Sequence, residues 1–191
     1  AAEELAAFRT RSLPGRPEGQ AGYVGVFDIE EVYASFSGGP KDHHALRDFI
    51  HLIYEREAPA GVDLWTGLRF VCLIGDASSD PRNYLGVEPG EGLYDFLPTM
   101  IRDYYPADIP TTFWNKPYAS DDGLVIFDPD STSIYSGRPI PSPPEVALGR
   151  LTVNSPLEAV QRVRRIVEFC DYTPSGSSTN KLVFLADDLY Q

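Results

Sequence analysis

Leu73-Ile74-Gly75-Asp76, continued by Ser79-Asp80-Pro81-Arg82-Asn83-Tyr84, is the stretch that decides how this chain is read. An apolar run that ends in Gly-Asp is a buried strand entering a turn. It puts a carboxylate at the carboxyl edge of a sheet, the edge where open α/β sheets collect their ligands. Helical and strand periods alternate on both sides of it, which predicts βαβ units around a parallel sheet, with Phe70 to Ile74 as a central strand.

Upstream, Tyr23 to Ile29 reads as a strand buried on both faces, and Gly38-Gly39-Pro40 as a turn. Asp42 suits the N-cap of a helix whose Leu46, Phe49, Ile50 and Ile53 share one face, with Arg47, Asp48, His51 and Glu55 opposite. Residues 2 to 11 read as a further helix, stopped by Leu13-Pro14-Gly15-Arg16-Pro17-Glu18-Gly19. Downstream, Asp80 to Tyr118 follows neither period and reads as a long irregular crossover. Its aromatics, from Tyr84 to Tyr118, either line a groove or pin the loop to the core.

Leu124 to Phe127 and Ser131 to Ser136 flank Asp128-Pro129-Asp130 as an inserted β-hairpin, and Gly137 to Pro144 reads as extended loop. Val146 to Val153 is a third core strand. Ser155-Pro156-Leu157-Glu158 combines an N-cap, a first-turn proline and a capping-box glutamate. The helix it opens has a stripe of Val160, Val163, Val167 and Cys170 toward the sheet and Arg162, Arg164 and Arg165 outward. Lys181 to Asp188 supplies a last strand.

With 191 residues, 42% of them hydrophobic and 12% aromatic, the chain carries enough apolar surface for one sizeable core. Its 16 basic and 28 acidic residues give a net charge of −12, and no Lys/Arg stripe offers a phosphate backbone its counterions. That composition argues against nucleic acid and anionic membrane as partners, and no apolar run is long enough for a membrane span. The acidic excess suits either a well-solvated surface or bound hard cations. Cys72 and Cys170 are expected as two buried free thiols.

Asp76, Asp121, Asp122 and Glu145 each sit beside an apolar strand, so a parallel sheet is expected to bring them to one edge as Ca²⁺ ligands. The alternative is that Asp76 caps a turn, Asp121-Asp122 is a solvated bend and Glu145 pairs with a nearby Arg. His43, His44 and His51 lack the spacing of a zinc site and read as surface residues. Cys72 in mid-strand is placed for burial, with a raised pKa that makes it a poor nucleophile. No serine-hydrolase elbow, dinucleotide loop or phosphate loop is present. Asp76 as the phosphoacceptor of a receiver-like domain is poorly supported, because Asp28-Ile29-Glu30-Glu31 and the absence of a Lys after the last strand do not fit.

Taken in order, Phe36-Ser37-Gly38-Gly39, Ala45-Leu46-Arg47-Asp48-Phe49, Leu73 to Asp76, Asp80 to Tyr84, Ala119 to Asp122, Ala147-Leu148-Gly149-Arg150-Leu151 and Phe184-Leu185-Ala186-Asp187-Asp188 resemble the amino-terminal half of the gingipain-like cysteine peptidases. The resemblance implies a three-layer, caspase-like or Rossmann-like parallel-sheet subdomain with helices on both faces. Residues 1–180 would form this first, non-catalytic subdomain, and 181–191 would open a second that carries the catalytic His and Cys; a strand is also expected before Ala1. It further implies a cysteine endopeptidase or sortase-like component of bacterial type IX secretion, secreted or held at the cell surface. No catalytic residue of this chain is implied. The partners implied are the rest of the peptidase domain, a protein or peptide substrate and secretion components. Structural calcium at Asp76, Asp121 or Asp122, and Glu145 is implied as well, although residues 123 to 144 form an insertion where the family loop is compact. The competing expectation is a calcium-stabilised binding or scaffold module from an inactive relative.

Overall fold

The computed structural model describes residues 1–13, 22–57, 67–78, 80, 96–102, 118–127, 133–135, 138–140 and 143–171. They form a mixed α/β fold built on a small parallel sheet, in which β1 (Phe70–Ile74) pairs with β6 (Ala147–Leu151). Both strands fall where the apolar runs place them. The register sets Phe70 opposite Ala147 and Ile74 opposite Leu151, so the two carboxyl ends lie side by side. The expected strand at Lys181 to Asp188 lies outside the described residues, as does most of the 80–118 crossover.

The pleat sorts the two faces. Leu73 is buried on one face together with Leu46 and Ile50 of α3 (His43–Glu57), and with Leu97, Leu124, Val125 and Val146. These residues form the main core. Phe70, Cys72, Ala147 and Gly149 point the other way and remain exposed. Near that face α1 (Ala2–Arg11) packs on α4 (Pro156–Asp171), burying Leu5, Ala6, Phe8, Ala159 and Val163. The α4 start is capped as its sequence requires: Ser155 Oγ accepts from Glu158 N at 3.2 Å, and the Glu158 carboxylate accepts from Asn154 N at 3.0 Å.

Four expectations need correction. Tyr23 to Ile29 is not a buried strand: Tyr23 is 87% and Phe27 57% exposed. Asp28 instead caps α2 (Ile29–Phe36), accepting from Glu30 N at 2.9 Å. A short apolar run specifies no helix or strand unless neighbours bury it. The expected irregular crossover contains a strand, β2 (Met100–Arg102), which pairs antiparallel with β3 (Tyr118–Ser120) at the crossover's end.

The hairpin exists further along, with β4 (Ser133–Tyr135) against β5 (Arg138–Ile140). Leu124 and Val125 cannot serve it, because a 3₁₀ turn over Asp122–Leu124 drives both into the core at 0% and 1% exposure. Pro139 is tolerated opposite Ile134 because a two-stranded ribbon leaves each strand an edge that needs no donor. Finally, Arg47 and His51 do not simply face water. Arg47 donates to Ile126 O at 2.9 Å, and His51 stacks on Phe127 with ring centroids 4.6 Å apart.

Candidate functional site

The carboxyl edge of the sheet is organised by one residue, Arg150 on β6. Its guanidinium carries five N–H groups, and all five are used. Nε donates to Asp121 Oδ2 and Nη2 to Asp121 Oδ1, each at 2.7 Å. Nη1 donates to Gly75 O at 3.0 Å and Leu97 O at 3.1 Å, and Nη2 also reaches Pro98 O at 3.1 Å. A charge this enclosed, with the side chain 8% exposed, is tolerated only when so completely paired.

Each partner is delivered by local structure. The β2–β3 register sets Met100 opposite Ser120, and the residues just outside that ladder, Pro98, Thr99 and Asp121, arrive together. Gly75 ends β1 with φ +146°, a conformation that glycine adopts freely, and its N–H donates to Leu151 O at 2.9 Å. A Cβ at Gly75 would meet Phe96 Cβ at 3.1 Å, so the loop carrying Leu97 lies directly against it. Partial burial pushes the Asp121 carboxyl pKa up. The hydrogen bonds and charge of Arg150, helped by Thr99, outweigh that and hold it below the ordinary aspartate value. A carboxylate so held is a poor proton acceptor.

Asp76 occupies the turn expected of it. Its Oδ1 accepts from Ala77 N at 2.9 Å, its N–H donates to Val153 O, and its carbonyl accepts from Phe96 and Leu97 N–H. Asp122 is exposed on the 3₁₀ turn. Glu145 lies at the other end of β6, where its Oε2 accepts from Phe127 N at 3.0 Å and its N–H donates to Val125 O.

The four acidic residues therefore do not gather at one place. Glu145 precedes the five-residue strand β6 whose far end is level with Asp76, and that strand rises roughly 13 Å. Two carboxylates sharing a Ca²⁺ bring their oxygens within about 5 Å of each other. Among the described residues no three of these carboxylates converge. At the carboxyl edge the cation that balances Asp121 is a guanidinium.

In the sequence Arg150 stands out only as part of the Ala147-Leu148-Gly149-Arg150-Leu151 motif. Its signal was present: an Arg inside Ala-Leu-Gly-Arg-Leu, an otherwise apolar strand, demands a buried partner.

Neither cysteine is buried; both thiols are free and exposed. The reason for Cys72 is the pleat, which turns it away from the Leu73 core. Partial burial of the sulfur still pushes the thiol pKa up, with Arg9 pulling it partly back. The α3 histidines approach the sheet from the Leu73 side, so no Cys–His pair can form across β1. The arrangement ties four segments together, and among the described residues it presents neither a nucleophile nor a general base.

The model of peptidase family C25 matches residues 1–191, the whole of the chain. No curated protein and no solved structure matches it.

Proposed function

The chain belongs to peptidase family C25, and from that premise we propose that these residues form a non-catalytic half of a gingipain-like cysteine endopeptidase or type IX secretion sortase. Its role is to hold a strand-edge framework against the half that carries the His and Cys. The Arg150 junction carries this reading. A C25 member is a cysteine peptidase by family, acting on peptide bonds, yet the carboxyl edge here is closed by a fully paired guanidinium. Cys72 and the histidines also stand on opposite sides of the sheet.

Among the described residues β1 and β6 each have one strand neighbour, which leaves each an edge to which a further strand can add. Secretion or display on a bacterial surface is part of the same proposal and rests on the family. No helix among the described residues is long and apolar enough to cross a membrane.

The test is labelling of the full-length protein by a thiol-directed peptidyl probe, with the modified cysteine located by mass spectrometry. Labelling outside residues 1–191 supports the proposal, and labelling of Cys72 or Cys170 overturns it. A protein that never reacts belongs with the scaffold reading. Calcium is proposed only for the carboxyl edge, through Asp76 and Asp122. A Ca²⁺-dependent rise in melting temperature that Asp76→Asn removes supports it, and an unchanged melting temperature overturns it.

A further inference from the structure

Asp42, His43 and His44 open α3, and the structure brings one ligand atom from each within 4.8 Å of the others. The imidazoles lie 4.2 Å apart between ring centroids, and His43 Nδ1 is 3.9 Å from Asp42 Oδ1. We propose that Asp42, His43 and His44 form a binding site for a borderline divalent cation, with Zn²⁺ as the best match. This site is separate from the Arg150 junction and independent of the peptidase reading.

The chemistry follows from the donors. Two imidazoles and one carboxylate favour Zn²⁺ over Ca²⁺, which takes six to eight oxygens. A tetrahedral zinc with bonds of 2.0–2.1 Å separates its ligand atoms by roughly 3.3 Å, so side-chain rotation that brings the ligand atoms up to about 1.5 Å closer closes the site. Helical spacing hides it. The zinc pattern sought in a sequence is two histidines four apart, whereas here the third ligand is the N-cap itself. Asp42 Oδ1 accepts from His44 N at 2.9 Å, which fixes the carboxyl group and leaves its second oxygen to turn toward an ion.

The positive end of the α3 dipole opposes an ion here, and the Asp42 carboxylate offsets it. Bound metal would tie the α3 start beside the Gly38–Gly39 turn, whose φ values of 71° and 111° are ones that glycine adopts freely.

The experiment is calorimetric titration of Zn²⁺ into the full chain, purified without a histidine tag. It is done on a Cys72→Ser, Cys170→Ser background so that the exposed thiols do not compete. One Zn²⁺ per chain is expected, weakened about tenfold or more by His43→Asn and by His44→Asn, and unchanged by His51→Asn. Circular dichroism checks that each variant is folded, and the exposed His44 serves if His43→Asn is not. Absence of binding, or binding that survives the loss of His44, overturns the proposal.

Discussion

Arg150 and Asp121, 29 residues apart in sequence, meet in a two-pronged pair with both N···O distances at 2.7 Å. The same guanidinium holds the carbonyls of Gly75, Leu97 and Pro98. A surface ion pair contributes about 0–1 kcal/mol, but this one is mostly enclosed, with side chains 8% and 23% exposed. Breaking it leaves a charge and three carbonyls without their donor.

Arg150→Ala is therefore expected to lower stability by about 3–5 kcal/mol, which in a chain of this size is roughly 6–20 °C in melting temperature. Arg150→Lys keeps the charge without the planar fork and falls in between. A double change to Arg150→Met with Asp121→Leu does not restore wild-type stability, because the three carbonyls stay unpaired. Thermal unfolding of the three variants checks this; recovery in the double variant would show that the carbonyl bonds contribute little.

The Asp121 carboxyl has a lower pKa folded than unfolded. Its contribution is present above the unfolded value of about 3.9 and is lost as pH falls through the folded value. Urea unfolding of wild type and Asp121→Asn should show the widest gap at pH 5–7 and a gap that narrows below about pH 4. A gap that does not change with pH would assign the loss to packing instead.

Gly75→Ala should cost about 1–3 kcal/mol. Two causes act together: φ of +146° strains any side chain, and the new Cβ would press on Phe96 Cβ at 3.1 Å. Gly149→Ala is the control, since a Cβ there meets nothing within 4 Å. Equal melting temperatures for the two variants would contradict this account.

Cys72 is reachable by solvent yet has a raised pKa. In a Cys170→Ser background its alkylation by iodoacetamide at pH 7 should run several-fold slower than that of a free cysteine peptide, and speed up toward alkaline pH. A Cys72 faster than the peptide at neutral pH would mark it as an activated thiolate.

Much of the local structure was legible in the residues. The helix at 2 to 11, the strands at 70 to 74 and 147 to 151 and the cap at Ser155 all appear where period and capping chemistry put them. These signals are local, so a few neighbouring residues suffice. Tyr23 to Ile29 failed because an apolar run becomes a strand only when other segments pair with it and cover it. The 124–127 segment failed because Leu124 and Val125 fill the core from a turn, and burial in a turn has no period.

The amino-acid sequence by itself determined the family, the mixed α/β class, the two parallel strands and the absence of any motif for serine, nucleotide or phosphate chemistry. Tertiary structure alone decided what the acidic residues do. Parallel register put Asp76 and Glu145 at opposite ends of the strands, and the β2–β3 pairing carried Asp121 to Arg150. Charge position along a chain says which groups exist, whereas electrostatic partnership falls off within a few ångströms and is set only once folding fixes those distances.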